Sequence, residues 1–499
     1  DENDFVFLSS IIHAFVDTLF TGMEITGCYQ FRITRNSNLY VDEEEMENLM
    51  RALEGQLAAS RYGAAVRLEV AYSCPNELTR YLLDVFELDE DDMYLADGPV
   101  NLNRMMTVYS ESERSDLKYP PFTSGVQKCL RNNSDIFSLL QSQDVLLHHP
   151  FDSFGTVLEL VKVAAEDPAV VAIKMTLYRT TPDSQIIDYL VEAAGAGKEV
   201  TVLVELRARF DEAANISLAN RLQEAGAHVV YGIVGFKTHC KLTLIVRQEQ
   251  GQLTRYVHLG TGNYHPETAR TYTDYGLLTT NEEIADDVHH VFLQLTSMMQ
   301  TPPLKKLVQA PFQLQENLLA LIDSEITNAR AGRNGHIIAK LNALVEPEII
   351  RTLYKASSAG VMVDLIVRGM CCLRPGVPGV SDNIRVRSIV GRFLEHSRIY
   401  YFYANGDAEV FCSSADWMDR NVFRRIEIAY PILDSESKTR LIGDLALYLS
   451  DNSKAWQLLP NGSYRRISPK AGERPLSVQD SLLDKLAQNT GGSPRLDIH

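Results

Sequence analysis

The stretch that decides the fold is "IIDYLVEAAGAGKEVTVLVELRARF" (residues 186–210), because the chain contains it twice in similar form. Its apolar residues first follow helical spacing, which ends at Gly197, and a continuous apolar run then follows. The stretch "IIRTLYKASSAGVMVDLIVRGMCCL" (residues 349–373) repeats this order at a constant shift of 163 residues. A helix followed by a buried strand is typical of α/β sheets. The sequence therefore predicts a duplicated α/β unit.

Each copy is followed by a histidine and, two residues later, a cation at the start of a predicted strand. The four residues are His239, Lys241, His396 and Arg398. Side chains two apart on a strand point to the same face. A small-residue turn comes next, "HLGTGN" ending at Asn263 in the first copy and "SSADW" around Asp416 in the second. One such motif is a weak signal, but its recurrence in both copies of a duplicated unit is a strong one.

The paired motif fits phosphoryl transfer. A lone strand histidine is more often structural, but neutral imidazole, with an ordinary pKa of about 6.5, is also a competent nucleophile. The neighbouring cation can neutralise phosphate oxygens, and the Gly-Thr-Gly turn can direct backbone N–H groups at them. A histidine on the opposite side can protonate the leaving oxygen, as in-line displacement requires. We expect His239 to lie in an exposed pocket, where it contributes little to packing.

Further arginines end the predicted strands of both copies. Arg179 lies at the end of one strand, Arg207 and Arg209 lie on one face of the next, and Arg368 takes the place in the second copy that Glu205 takes in the first. Each alone has about even odds of being an ion-pair partner for an acid. Together they suit a polyanionic substrate better than a single phosphodiester.

The composition limits the class of protein. The chain has 499 residues, 45% hydrophobic and 23% charged, which is ordinary for globular domains. The net charge of −17 argues against general coating of nucleic acid or anionic membrane, although a local basic pocket stays open. Seven cysteines without a C-x-x-C pair predict reduced thiols and a cytoplasmic protein, and no apolar run reaches the ~18 residues of a membrane span.

The chain divides into three predicted domains. Residues 1–122 form a small α/β head domain that ends at the proline-rich "DLKYPPFTSG". Residues 123–306 and 307–499 form the two duplicated units, the second with a C-terminal tail. Because the chain starts without Met, we expect it to be a fragment or a processed form.

Longer strings carry a family resemblance, which extends from near residue 1 to about residue 450. They include "DLKYPPF" (116–122), "LLHHPFDSF" (146–154), "LVELRARFDEAANI" (203–216), "GTGNYHPETARTYTDYGLLT" (260–279) and "IRVRSIVGRFLEHSRIYYF" (384–402). The repeated H-x-K units resemble the phospholipase D superfamily, and the strings resemble the long, histidine-phosphorylated polyphosphate kinase family. The resemblance implies two tandem phospholipase D-like α/β domains, each a mixed sheet flanked by helices, after a truncated head domain.

The resemblance also implies the chemistry. The reaction would be reversible transfer between ATP and polyphosphate, with His239 as phosphohistidine and His396 as a second histidine on the ATP phosphates. Tyr272 and Arg368 fall on ATP-contacting positions of the family. Arg179 and Arg209 fall on positions associated with Mg²⁺, although a guanidinium has no lone pair for direct ligation. The family also implies a missing N-terminal helical domain and a homo-oligomer, dimer or tetramer. From the charge, we expect no nucleic-acid partner and at most peripheral membrane contact.

Two other functions stay open at this point. A phospholipase D-like phosphodiesterase or nuclease would use the same two histidines with water as the acceptor, but it predicts lysine in both motifs and no arginine cluster. A non-catalytic polyphosphate-binding scaffold would leave His239 unmodified.

Overall fold

The structure, a computed structural model, describes residues 4–36, 63–132, 135–178, 184–205, 212–233, 235–297 and 302–487. The chain separates into two compact units, residues 1–121 and 122–499. Within the described ranges, no helix combines the length and the apolar character needed to cross a bilayer.

The first unit is a three-stranded sheet with short helices. Its helices are α1 (Leu8–Ala14), α2 (Val16–Leu19), α3 (Asn76–Phe86) and α4 (Met105–Glu111), and its strands are β1 (Phe31–Arg35), β2 (Ala65–Ala71) and β3 (Met93–Ala96). Strand β2 lies in the centre, antiparallel to β1 and parallel to β3. Leu68 and Val70 of β2 pack against Leu82 and Leu83 of α3, because the apolar side chains of this helix lie on one face.

The first half of the second unit builds an eight-stranded mixed sheet. This half contributes the strands β4 (Val145–His149), β5 (Val170–Leu177), β6 (Glu199–Val204), β7 (His228–Val230), β8 (Lys237–Thr238), β9 (Lys241–Glu249), β10 (Gln252–Gly260) and β11 (Tyr272–Thr279). The short β8 lies outside this sheet, and the eighth strand of the sheet is Leu394–Glu395 from the second half. Its helices are α5 (Lys128–Asn132), α6 (Ile136–Ser142), α7 (Gly155–Glu166), α8 (Gln185–Gly195), α9 (Glu212–Glu224), α10 (Pro266–Thr271) and α11 (Glu282–Ser297). The continuous part of the sheet within this half has the order β11-β10-β9-β5-β6-β7.

The second half repeats this order in a ten-stranded sheet. This half contributes the strands β12 (Val308–Ala310), β13 (His336–Leu341), β14 (Met362–Val367), β15 (Ile384–Ile389), β16 (Leu394–Glu395), β17 (Arg398–Phe402), β18 (Glu409–Ser413), β19 (Arg425–Pro431), β20 (Ala455–Leu458) and β21 (Tyr464–Arg466). All of them except β16 belong to this sheet, and β8 of the first half completes it. Its helices are α12 (Leu314–Arg330), α13 (Pro347–Ser358), α14 (Asp419–Arg424), α15 (Ser435–Ser450) and α16 (Val478–Leu482). The order β19-β18-β17-β13-β14-β15 matches the first sheet strand for strand, which confirms the predicted duplication.

Local sequence explains the repeated helix and strand. Helix α13 begins with Pro347 in its first turn, and the Glu346 carboxylate accepts a hydrogen bond from the backbone N–H of Ile349. Gly197 and Gly360 follow the ends of α8 and α13 with φ values of +85° and +95°, a conformation that glycine adopts without steric cost. Apolar strands β6 and β14 then begin, so the predicted helix, glycine and buried strand are confirmed in both copies.

Two very short strands exchange between the halves. Strand β8 of the first half pairs in parallel with β19, and β16 of the second half pairs in parallel with β11. Each of these strands immediately precedes one of the two motif histidines. One apolar core, which includes Leu242 and Leu277 as well as Ile399 and Leu445, extends over both sheets. The exchange places each histidine against a strand of the opposite half.

Candidate active site

His239 lies in the short connection between β8 and β9 and is held by the second half. Its backbone N–H donates to the carbonyl of Ile426 on β19, at 2.9 Å. Its Nδ1 is 2.8 Å from Oε2 of Glu427, the next residue on β19. His239 is only 8% exposed, so the expectation of an exposed pocket residue was wrong. These hydrogen bonds to the second half hold the imidazole ring against β19, where it is buried.

Glu427 is fixed in turn by two donors. The hydroxyl of Ser414 donates to Oε2 at 2.5 Å, and the Asn421 amide donates to Oε1 at 2.6 Å. The carboxylate is fully buried, yet His239 and Lys241 beside it lower its pKa to about 2. Glu427 is therefore ionised at neutral pH and can hold a proton on Nδ1 of His239, which leaves the lone pair of Nε2 for chemistry.

Burial sets the charge of His239 and Lys241, the two residues of the first motif. It lowers the pKa of His239 to about 3, although Glu427 opposes that shift. It also lowers the pKa of Lys241 to about 7, and the Arg398 cation adds to this effect. The Lys241 ammonium donates to the carbonyl of His239 and lies 5.3 Å from the ring centroid of Tyr178. A neutral imidazole thus stands beside a cation that titrates near neutral pH.

His396 has the mirrored arrangement, because its acid comes from the first half. Its Nδ1 lies 2.9 Å from both carboxylate oxygens of Asp274 on β11. Arg398 Nη1 lies 3.2 Å from the Nε2 atom. A guanidinium has no lone pair to accept a proton, so Nδ1 carries the ring proton and Nε2 keeps its lone pair. Burial also lowers the pKa of His396.

Arg398 and Asp416 form a buried ion pair behind His396. Nη2 of Arg398 donates to Oδ2 of Asp416 at 2.9 Å, while Oδ1 accepts from the backbone N–H of Asn342 at 2.6 Å. Nε of Arg368 donates to Oδ1 of Asn342 at 3.0 Å and to the carbonyl of Glu395 at 2.7 Å. These contacts bring four predicted residues of the second half into one hydrogen-bonded cluster.

The structure also places the remaining predicted residues. The ring of Tyr272 is 5.2 Å from the ring of His396, centroid to centroid. Asn263 lines a small cavity of about 10 Å³ together with His149, His258 and Asp274. Arg368 occupies the position equivalent to Glu205, because their backbone N–H groups bond the corresponding carbonyls at the ends of β13 and β5. Arg179, Arg207 and Arg209 lie outside the described residues.

The sequence reasoning missed Asp274 and Glu427. Both are lone acids on otherwise buried strands, and a regular spacing could have found them. Asp274 comes eleven residues after Asn263, and Glu427 comes eleven residues after Asp416. An acid on a buried strand is costly unless it is paired, so this recurrence was a usable signal.

The described residues do not form a cage for Mg²⁺. No group of three or more His, Cys, Asp or Glu side chains in the described ranges has metal-binding geometry. The carboxylates at the site are already bonded to a histidine or an arginine, as at Asp274, Glu427 and Asp416. Magnesium prefers oxygen ligands and normally keeps waters or binds phosphates.

Comparisons with known proteins match most of the chain. Three family models cover the chain: the polyphosphate kinase middle domain over residues 1–108, C-terminal domain 1 over residues 135–301, and C-terminal domain 2 over residues 307–479. The polyphosphate kinase of Pseudomonas aeruginosa is 54% identical over 485 residues, which cover 97% of this chain and 70% of that protein. The chain belongs to the polyphosphate kinase family.

Other relatives agree with this assignment. The polyphosphate kinase of Xylella fastidiosa is 55% identical over 484 residues, covering 97% of this chain and 69% of that protein. The crystal structure of polyphosphate kinase from Porphyromonas gingivalis superimposes with a TM-score of 0.81 at 33% identity, over 96% of this chain and 70% of that one. The match agrees with the predicted α/β fold class of mixed sheets flanked by helices, and membership of the family makes the chain a phosphotransferase.

Each histidine–acid pair joins two regions that are matched by different polyphosphate kinase family models. His239 and Asp274 lie in the region matched by C-terminal domain 1, and His396 and Glu427 lie in the region matched by C-terminal domain 2. Each histidine therefore takes its acid from the other matched region. A site built this way needs both halves of the second unit.

Proposed function

We propose that this polyphosphate kinase family chain transfers the terminal phosphoryl group of ATP to inorganic polyphosphate through a phosphohistidine at His239. Nε2 of His239 attacks the γ-phosphorus, a new N–P bond forms, and the O–P bond to ADP breaks. A terminal oxygen of polyphosphate then attacks the same phosphorus, and the N–P bond breaks. The observation that carries this proposal is the Glu427 carboxylate at 2.8 Å from Nδ1, because it stabilises the imidazolium charge that develops on attack.

The neighbouring residues have defined roles in this proposal. Lys241, Arg398 and the turn before Asn263 stabilise the negative charge on the transferred oxygens. His396 is neutral in the free protein, so it accepts the proton of the incoming terminal phosphate and returns it in the reverse reaction. Asp416 positions Arg398, with which it forms an ion pair.

In this proposal, Arg368 and Tyr272 contact the nucleotide. Nη1 and Nη2 of Arg368 make no hydrogen bond to a described residue, so they are available for ATP phosphates, and Tyr272 lies beside His396. Mg²⁺ would be bound by the phosphates rather than by protein carboxylates, with Arg179 and Arg209 holding those phosphates. The domain limits 1–122, 123–306 and 307–499, the cytoplasmic location and the homo-oligomer stay predictions.

The test is synthesis of polyphosphate from Mg·ATP by the purified chain. The wild type should release one ADP for each phosphate that it adds to polyphosphate. His239→Asn should form neither product, because Asn can donate a hydrogen bond to Glu427 but has no nucleophilic nitrogen. His290→Asn on α11 is the matched control and should keep the wild-type rate. ATP-independent cleavage of a phosphodiester by the wild type would indicate the phosphodiesterase alternative. Binding of polyphosphate without any turnover would indicate the scaffold.

A further inference from the structure

A cationic groove lies on the outer side of the second half, between α12 and α13. Its volume is about 540 Å³, and six residues line it: Arg330, Arg351, Tyr354, Lys355, Ser358 and Ala359. Arg330 is in the last turn of α12, and Lys355 is in the last turn of α13. Three cations in one groove stand out in a chain with a net charge of −17.

The positive charge of the groove is only partly neutralised. Arg351 forms an ion pair with Glu348, one turn earlier on α13. Arg330 and Lys355 have no carboxylate within ion-pair distance among the described residues. The hydroxyl of Tyr354 accepts a hydrogen bond from the backbone N–H of Arg374, at 2.8 Å. The groove therefore presents two unneutralised cations and several polar groups, a surface that suits an anion with many oxygens.

A short segment connects this groove to the candidate active site. Arg368 bonds Asn342 and the carbonyl of Glu395 within the site, and Arg374 comes six residues later against Tyr354 in the groove wall. Six extended residues span at most about 20 Å, which limits the distance between the two arginines. Arg374 is itself exposed, and its backbone contact with Tyr354 adds a further cationic residue beside the groove.

We propose that the groove binds the distal part of a polyphosphate chain whose terminal phosphate is at His239. This inference rests on the proposed function and adds a second contact region for the same substrate. Polyphosphate carries negative charge along its whole length, so a row of cations such as Arg368, Arg374 and Lys355 can bind it at any position along the chain. A single-stranded RNA fits less well, because Tyr354 is half-buried and is the one aromatic side chain among the six groove residues, whereas proteins that bind single strands stack successive bases on several aromatic rings.

The test compares a triple variant of the groove with a matched triple variant elsewhere. Arg330→Gln/Arg351→Gln/Lys355→Gln removes the groove cations, and Lys162→Gln/Lys305→Gln/Lys438→Gln removes three lysines from other surfaces of the second unit. For the groove variant we expect the KM for long-chain polyphosphate to rise roughly tenfold, since exposed charge contacts are individually weak. The KM for tripolyphosphate, the KM for ATP and kcat should stay at wild-type values, because tripolyphosphate is too short to reach the groove. The control variant should match the wild type throughout.

Several outcomes would overturn the inference. An unchanged KM for long chains, with a lowered Tm, would mean that these cations only offset the helix C-terminal dipoles. An equal rise for tripolyphosphate would mean that the substitutions act through the fold of the site. Loss of single-stranded RNA binding with unchanged polyphosphate binding would assign the groove to nucleic acid. Direct binding of end-labelled long-chain polyphosphate separates the two proposals. If the wild type binds it more tightly than the groove variant does but makes no polyphosphate, the proposed function is contradicted and the groove inference stands.

Discussion

At the scale of single residues, two histidines are each controlled by an acid from the other half. Glu427 is 188 residues from His239, and Asp274 is 122 residues from His396. The sequence could predict the histidines and their cations, because their spacing is local and repeats. It could not reveal which acid bonds which histidine, because that contact depends on how the two sheets meet.

Glu427→Gln should lower kcat roughly 10²- to 10⁴-fold, because Gln removes the negative charge that stabilises the imidazolium of His239. The volume is kept, so the fold should persist at a cost of about 1–3 kcal/mol in the free energy of unfolding. Phosphohistidine formation should slow together with turnover, as measured by rapid quench with labelled ATP. Asp274→Asn is the comparison: it should slow the transfer to polyphosphate more than the first transfer from ATP. Equal effects of both substitutions on both steps would contradict the separate roles.

Lys241 should make the reaction sensitive to pH above neutrality. Burial lowers its pKa to about 7, so in the free protein the charged form is lost as the pH rises through 7. Because kcat/KM reports groups of the free enzyme, kcat/KM should fall above about pH 7. Lys241→Arg keeps the charge, as Arg398 does in the second copy, and should move this decline to higher pH. A decline at the same pH in both proteins would show that another group is responsible.

At the scale of elements, the repeat predicts the order of helix and strand but not the exchange. Strands β8 and β16 have two residues each, too short to show a period, and they gain their partners only from the opposite sheet. This exchange explains why His239 is buried rather than exposed. The turn between β10 and α10 was predicted from its glycines. In the structure, Gly262 of this turn lies so close to Asp274 that a larger residue would meet the carboxylate.

Gly262→Ala should disturb this turn. A Cβ atom at Gly262 would lie 2.2 Å from Oδ2 of Asp274, so the carboxylate must move away from His396. We expect turnover to fall more than tenfold and the Tm to drop, measured by polyphosphate synthesis and thermal unfolding. Gly443→Ala on α15 is the control, since nothing lies within 4 Å of its Cβ, and it should add up to about 1 kcal/mol of stability. Full activity of Gly262→Ala would show that Asp274 tolerates displacement.

At the scale of the whole molecule, the two halves of the second unit share one core. Arg440 on α15 forms an ion pair with Asp152 at 2.6 Å, and Asp444 accepts a hydrogen bond from Tyr275 at 2.8 Å. The duplicated order could be predicted from the sequence. The shared core could not, because it joins apolar residues that no local pattern connects.

Leu445→Ala should therefore destabilise both halves together. Leu445 is fully buried in the shared core, so the substitution should cost about 2–5 kcal/mol. Hydrogen exchange should accelerate equally in β9 and β17, which lie in different sheets. Leu433→Ala, at a position 40% exposed, should leave both rates nearly unchanged. Faster exchange in β17 alone would show that the halves open independently.

The central claim is that His239 carries the phosphoryl group. The most direct measurement is the intact mass of the chain after incubation with Mg·ATP at neutral pH, followed by peptide mapping under alkaline conditions, in which phosphohistidine survives. We predict one added phosphoryl group on the peptide that contains His239, present in His290→Asn and absent from His239→Asn. Polyphosphate synthesis with no adduct, or with an adduct on another residue, would contradict the claim.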